Sequence, residues 1–564
     1  MLFTRRESIK IGAVGALSAA AALDSLTLAG CSSSTSTVND AYELIDDDSI
    51  EVSCSMDIAG ASDDDLQSWI KESVYDVEVQ ADIKAQLDAR KDGQTLAAPI
   101  AAYNPFGTNT QSLYLYFLTD QAASVSYTVG VAADAFEDVA IDDFAHEVDG
   151  GASSTEHEFQ VIGLIPGVVN AVVVTASYDD GTEESCVLAV DMCAVLGDEE
   201  LQLDVTDGTS DTSLAEGLYA ILGNDTTDAS FMYYYDNQGI LRGEVPVIGY
   251  RSHRMLFDDA NTMYYSISHS CMAALNTFGQ IVGVYDLGVY NLHHDYVWAD
   301  ETTMLILATD TSRDDSDEDL LVSLDIDTGE VVELVDMGEL MPDFKQQCFA
   351  YHEANYEPEE GEEDDVPAWM HMNSLQYLAD EDAALMSSRE TSTIFKISGA
   401  TSGSPAIEYL LASELFWADS AYGDLVFAQV GDFTVHGGQH CLTYVADDAL
   451  EPGQYYLQFF NNNLGVSASV TNDFDYEGAG IGAEEYSYYY EYLVDENAGT
   501  FELVDSLQVP YSGYVSSVQW IDGNLIIDSG SLGYFTEYDS DYEEIRSFSM
   551  GVDKFIYRVF KYDL

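Results

Sequence analysis

Leu375-Gln376-Tyr377-Leu378-Ala379-Asp380 is the stretch on which the fold turns: a short apolar strand that runs into an acidic turn and returns as a second strand, Leu385-Met386-Ser387-Ser388. The same phrase recurs as Leu256-Phe257-Asp258-Asp259, Tyr296-Val297-Trp298-Ala299-Asp300, Leu442-Thr443-Tyr444-Val445-Ala446-Asp447 and Val518-Gln519-Trp520-Ile521-Asp522. Between these lie hairpins of a second kind, apolar strands around a polar turn, at residues 230–247, 273–288, 321–338, 394–412, 489–506 and 534–550. Two hairpins per unit make a four-stranded blade. Roughly sixty residues per unit, longer than the ~40–50 of a standard blade, predicts a six-bladed β-propeller with insertions over residues 197–564, a series of sandwiches being the competing pattern.

Working upstream, residues 98–196 alternate apolar and polar positions. Strands are predicted at Ser112-Leu113-Tyr114-Leu115-Tyr116-Phe117-Leu118, at Ser124-Val125-Ser126-Tyr127-Thr128-Val129, and at 158–162, 171–178 and 185–191, divided by Asp/Gly turns. That texture predicts a small antiparallel β-sandwich. Residues 32–97 hold a Ser/Thr tether at 32–38 and an acidic region with one helical pattern at 64–90. The acidic run at 353–365 reads as a solvated loop within a connection. The chain is therefore expected to be all-β, a sandwich followed by a propeller.

The first 31 residues read as an export signal. Thr4-Arg5-Arg6-Glu7-Ser8-Ile9-Lys10 resembles a twin-arginine motif, with Ser8 where a large apolar residue is usual, and an apolar run follows at 11–23. Leu28-Ala29-Gly30-Cys31 then resembles a lipobox, which makes Cys31 the expected lipidation site and the chain an exported lipoprotein anchored on the extracytoplasmic face. A transmembrane anchor is the alternative, but the apolar run falls short of the ~20 residues a bilayer needs. The other six cysteines, 54, 186, 193, 271, 348 and 441, contain no CxxC pair, and an oxidising compartment permits disulfides among them.

With 18 Lys+Arg against 102 Asp+Glu, the formal charge of −84 repels nucleic acid and anionic membranes, so no nucleic-acid partner is expected. An anionic substrate approaching such a chain needs a local cationic cluster. Eight of the ten His lie after residue 250. Several stand just ahead of the acidic-turn hairpin: His253-Arg254, His293-His294-Asp295, His371-Met372-Asn373-Ser374 and Gln439-His440, with Ser516-Ser517 in the last unit. Inner strands line a propeller channel, so residues at one register in successive blades meet at the axis. Arg389, at the end of the return strand after His371, reaches the same place. Imidazoles with a guanidinium supply a nucleophile, acid/base groups and an anion clamp. A metal site with Asp295 as an oxygen ligand is the competing reading, but only His436 and His440 show ligand-like spacing, so no metal is expected. Phosphate loops, GxSxG elbows and dinucleotide fingerprints are missing, which favours cofactor-free group transfer.

Leu292-His293-His294-Asp295, Trp369-Met370-His371-Met372-Asn373-Ser374, Ser387-Ser388-Arg389 and Gly438-Gln439-His440 together resemble the bacterial aryl-sulfate sulfotransferases. Asn104-Pro105-Phe106-Gly107-Thr108, Gly163-Leu164-Ile165-Pro166-Gly167, Leu256-Phe257-Asp258-Asp259 and Asn461-Asn462-Asn463-Leu464-Gly465 agree, so the likeness runs from about residue 98 to the C-terminus. The resemblance implies an Ig-like sandwich before a six-bladed propeller, and sulfuryl transfer from a phenolic sulfate ester to a phenol acceptor without 3′-phosphoadenylyl sulfate or any cofactor. It implies His440 as the transiently sulfated residue and His371, Asn373 and Arg389 as holders of sulfate oxygens. His294, or its neighbour His293, would serve proton transfer or charge stabilisation. The family often has Asp after Gln-His, where this chain has Cys441. Association into a homodimer is left open. A non-catalytic ligand- or partner-binding propeller and an aryl sulfate hydrolase are the rival functions.

Overall fold

The computed structural model describes residues 41–54, 62–136, 140–197, 199–223, 230–355, 366–464 and 485–564. The export motif, Cys31, the tether at 32–38 and all but the first three residues of the acidic run at 353–365 lie outside the described residues.

Six sheets succeed one another along the second part of the chain, as a propeller requires. Blade two runs outward from Leu256–Phe257 to Ile281–Asp286, blade three from Tyr290–Trp298 to Val331–Asp336, and blade four from Met372–Leu378 to Ala406–Leu411. Blade five starts at His440–Val445 and ends at Thr500–Val509, to which a fifth strand, Ala428–Val430, adds in parallel. Blade six starts at Ser517–Ile521 and gains a fifth strand from far upstream, Asp204–Asp207.

Blade one explains why only five acidic-turn hairpins are legible in the sequence. Its inner strand is the C-terminal Val559–Tyr562, which pairs with Leu218–Ile221 and so closes the ring with residues hundreds of positions apart. The second strands of the blades are apolar on both faces, as in Thr303–Asp310, because each is clamped between neighbouring blades. Leu305, Leu307 and Leu321 of blade three thus share one core with Met386, Phe395 and Ile397 of blade four, and with Trp369 and Trp417. Helix Pro342–Asn355, which the sequence pattern does not predict, leans Phe344 against both tryptophans.

The N-terminal module is a seven-stranded sheet folded on itself. The two strands predicted at 112–118 and 124–129 are one continuous strand, Leu113–Val131. Its first half pairs with Ile100–Tyr103 and Ser154–Val161, its second half with Phe144–Glu147 and Val169–Tyr178. The apparent break is the polar stretch around Asp120, where the strand passes from one layer to the other. Ile50–Ser53 joins this sheet parallel to Glu183–Asp191, and the Cys54–Cys193 disulfide pins that pairing. The helical pattern at 64–90 forms Asp63–Trp69, a π-turn at Ile70–Val74, and Val77–Asp88. Trp69, Ile70, Val74 and Tyr75 pack into the core of blades one and two, and the Tyr75 hydroxyl donates to the Pro246 carbonyl at 2.6 Å.

Candidate active site

From blade three round to blade one, a side chain of each inner strand reaches the backbone of the next, and these four bonds define the register around the axis. Asp295 Oδ2 accepts from the Leu375 N–H at 3.0 Å and Ser374 Oγ from the Leu442 N–H at 3.2 Å. Cys441 Sγ donates to the Val518 carbonyl at 3.4 Å, and Ser517 Oγ accepts from the Val559 N–H at 3.1 Å. The residues just ahead of these four are His294, Asn373, His440 and Ser516. His371 therefore does not share the register of His294 and His440, as the repeat predicts; Asn373 does, and His371 stands two residues earlier. A left-handed backbone at His371 (φ 51°) accompanies a ring that nonetheless lies 4.6 Å, centroid to centroid, from that of His294.

Three non-glycine residues in left-handed conformation meet here, His294 (φ 58°), His371 and Glu318 (φ 50°). Each costs about 1–2 kcal/mol and persists only where its surroundings over-determine it. His371 Nδ1 lies against Glu318 Oε2 in an ion-pair contact, and His294 Nε2 lies 3.2 Å from Glu318 Oε1. The Glu318 N–H donates to Thr309 Oγ1 at 2.7 Å, and its carbonyl accepts from the Met372 N–H at 3.0 Å. Burial pushes the Glu318 carboxyl up, but the two histidines outweigh it and hold it well below the usual range, so it stays ionised. Burial pushes His294 well below its ordinary value against the pull of Glu318, so its ring is neutral near pH 7.

The Tyr557 hydroxyl donates to the His294 carbonyl at 3.0 Å and lies 2.9 Å from His294 Nδ1. Both nitrogens of His294 are thus engaged by protein groups. His371 Nε2 accepts from Arg389 at 3.3 Å, because a guanidinium has only donors, and this fixes its proton on Nδ1. Arg389 also lies 3.4 Å from Glu390 and keeps 29% of its side chain exposed, enough to meet a ligand.

His440 has different company. Its Nδ1 lies 2.9 Å from the Gly438 carbonyl and 2.8 Å from Asn462 Oδ1. Asn462 cannot be turned round, since its Nδ2 donates to the carbonyls of Ser512 (2.8 Å) and Val515 (3.0 Å). Two acceptors at Nδ1 place the proton there and leave Nε2 with the lone pair. Burial pushes His440 down to about 3; Asn462 opposes this, and Arg389, His371 and Arg558 add to it. Cys441, which stands where the family often has Asp, has its thiol turned to blade six and takes no part in orienting the ring.

The remaining residues sort by contact. The Asn373 amide donates to the Gln439 carbonyl at 2.8 Å and ties blade four to the strand of His440. His293 is 4% exposed and lies against the backbone of Ala308 and Met372, whereas His294 meets Glu318 and Tyr557 through its two ring nitrogens. Asp295 is held by Arg558 (3.0 Å), Arg254 (3.2 Å) and the Leu375 N–H, which makes it a buried ion-pair partner. His436 packs into the aromatic core of blade five with Phe459 and Tyr492, apart from His440. His293, His294 and Glu318 offer donor atoms within 4.8 Å of one another, close enough to share one ion.

Glu318 and Tyr557 carry no repeat or motif signal; each joins the site from a turn or a strand entry far away in sequence. Asn462 belongs to Asn461-Asn462-Asn463, a run in which nothing marks the middle residue as the partner of His440.

A six-bladed propeller behind a sandwich, with imidazoles and the partly exposed Arg389 guanidinium at its axis, defines a class of proteins equipped to handle an anion. Residues 204–558 match the model of the arylsulfotransferase family, and residues 100–192 match the arylsulfotransferase Ig-like domain. The chain belongs to the arylsulfotransferase family, and it is an aryl sulfotransferase that acts on an aryl sulfate donor and a phenol acceptor. A search of curated proteins finds no match. Solved structures that align with it include a protein of unknown function from Bacteroides caccae, at 9% identity over 61% of this chain and 98% of that one, TM-score 0.35. The WD40 domain of Toxoplasma gondii coronin aligns at 7% identity over 62% and 76%, TM-score 0.31. Likeness this slight carries no argument about the site.

Proposed function

We propose that the transfer is ping-pong, with His440 as the residue that carries the sulfuryl group, and that no 3′-phosphoadenylyl sulfate is used. The single observation that supports this most is the Nδ1 proton of His440, held between two neutral acceptors, which leaves Nε2 as a buried, unprotonated nucleophile. In the first half-reaction an Nε2–S bond forms and the S–O bond to the donor phenol breaks, the phenolate leaving with the electron pair. The sulfated ring gains positive character, and the Gly438 and Asn462 oxygens at its Nδ1–H stabilise it. In the second half-reaction the acceptor phenol oxygen bonds to sulfur as the Nε2–S bond breaks, its proton passes to solvent in exchange for the one the first phenolate took up, and His440 Nε2 recovers its lone pair.

By analogy with phosphoryl transfer, the charge in a loose transition state sits on the peripheral oxygens and the departing phenolate. Arg389 is suited to the oxygens, its guanidinium oriented by the lone pair of His371 Nε2, while the Asn373 amide holds the strand of His440 in place. His294 acts in this reading through its partners Tyr557 and Glu318 and not by touching substrate, and His293 is left as a packing neighbour of that ring.

The decisive experiment treats purified protein with 4-nitrophenyl sulfate, with and without a phenol acceptor. Expected are acceptor-dependent nitrophenolate release and a sulfuryl adduct mapped to His440 when acceptor is withheld. Release indifferent to acceptor, with free sulfate formed, points to the hydrolase reading. No release at all leaves the binding propeller.

We further propose that the protein is exported and held at the membrane surface by lipid on Cys31. The Cys54–Cys193 disulfide supports an oxidising compartment. Intact mass of the cell-derived protein would show the loss of residues 1–30 and a diacylglyceryl addition; an unprocessed N-terminus would sink the idea.

A further inference from the structure

We propose that Glu318 is a positioning residue of the transfer reaction: its carboxylate takes one N–H from His294 and one from His371, and so fixes the tautomer of both rings and the direction of the nitrogens that remain. This rests on the catalytic reading above, but it concerns the resting protein.

Glu318 has no part in the repeat and belongs to the connection between the second and third strands of blade three. Its backbone is strained, and both its N–H and its carbonyl are tied, to Thr309 and to Met372, the residue after His371. The two oxygens of this carboxylate lie against different imidazoles, and an ionised carboxylate only accepts, so each facing nitrogen must carry hydrogen. The consequence for His371 is specific. With Nδ1–H spent on Glu318, Nε2 is the nitrogen left toward Arg389, and ring and guanidinium form one surface. A histidine free to choose would favour the other tautomer and turn an N–H toward the guanidinium, two donors facing each other.

An anionic group beside a sulfate site looks counterproductive. Its placement answers this: Glu318 faces the Nδ1 side of the His371 ring, with Arg389 on the opposite, Nε2 side. A like-charge penalty to a bound sulfuryl group is thereby exchanged for orientation of the donors that hold it. The neutral amide of Gln cannot substitute. Its oxygen accepts one N–H, but its NH₂ needs an imidazole lone pair, so one of the two rings would have to turn over its tautomer.

Two measurements test this. In the wild-type enzyme with 15N-labelled histidine, His294 is expected to be protonated at Nε2 and His371 at Nδ1. A bare nitrogen facing Glu318 on either ring, as would be found with a cation held between them, overturns the proposal without any variant. In Glu318→Gln, kcat is expected to fall by about 10–100-fold, as when a hydrogen-bonded carboxylate partner of a functional imidazole is lost. KM for the donor should move less, the His371 nitrogen shifts should reverse, and Glu318→Asp should recover part of kcat. A Glu318→Gln enzyme with unchanged kcat and unchanged His371 tautomer sinks it. A wild-type protein that forms no sulfuryl adduct sinks the catalytic reading instead, because the tautomers are read on the resting protein.

Discussion

The two sides of the axial site hold histidine in opposite ways. On the blade five side, His440 meets only neutral oxygens, Gly438 and Asn462, within a buried shell that pushes it down to about 3. On the blade three and four side, His294 and His371 share an ionised carboxylate and lie against Tyr557 and Arg389. Neutral acceptors set a tautomer without favouring a second proton, which suits a ring that must attack. A carboxylate sets tautomers more firmly and opposes the effect of burial on its partners, which suits rings that must hold their neighbours in place. The same side chain thus serves two chemistries because of what faces its Nδ1.

Removing the attacking ring has the largest expected effect. His440→Gln should lose the adduct entirely and lower acceptor-dependent transfer by about 10³-fold or more, as when a covalent nucleophile is deleted and only binding and charge stabilisation remain. Rapid-quench release of nitrophenolate with mass mapping reads both. Transfer that survives in this variant with an adduct on a tyrosine would reverse the assignment of the two sides.

Asn462→Asp breaks the comparison more gently, by giving His440 the kind of partner that His371 already has. The new carboxylate should raise the His440 ring from about 3 toward neutrality, so that the acid limb of the pH–rate profile moves upward and the rate at neutral pH falls by about 10-fold. Ser512 and Val515 lose their donors, so a stability cost of about 1–3 kcal/mol accompanies it, visible in denaturant melts. An acid limb that stays in place would mean that Asn462 does not govern the charge of His440.

How far the sequence foretold this difference depends on the kind of signal. The hairpin repeat is local, with period-2 alternation and acidic turns, so blades two to six are legible from it. Blade one is not, because its inner strand, Val559–Tyr562, arrives from the C-terminus and has no hairpin partner nearby. His294, His371, Arg389 and His440 are legible because inner-strand starts converge on one axis. Their mutual arrangement is not, since the register of His371 depends on a local irregularity between Met372 and Ser374. Glu318 is invisible for a related reason: among 102 acidic residues nothing marks one whose strained backbone turns it inward. Charge count, which dominates this composition, says least about the one carboxylate that matters most.

A last comparison sets two histidines of blade five side by side. Burial pushes both His440 and His436 down to about 3, yet His436 sits among Phe459 and Tyr492, with the Tyr492 hydroxyl at its Nδ1. A pKa shift alone does not separate a catalyst from a core residue; its partners do. The shift of His436 still has a consequence for stability, and its sign is fixed. A ring whose folded value lies below its unfolded ~6.5 is bound by more protons in the unfolded chain, so stability falls as pH drops below 6.5 and continues to fall until about 3. At pH 5 this amounts to about 2 kcal/mol for one such ring. His436→Phe removes that term but also the hydrogen bond to the Tyr492 hydroxyl, worth about 1 kcal/mol. The variant is therefore expected to be less stable than wild type at pH 7.5 and more stable at pH 5, with the two denaturant midpoints crossing between. Midpoints that remain parallel across that range would mean that His436 takes up its proton in the folded state near its ordinary value.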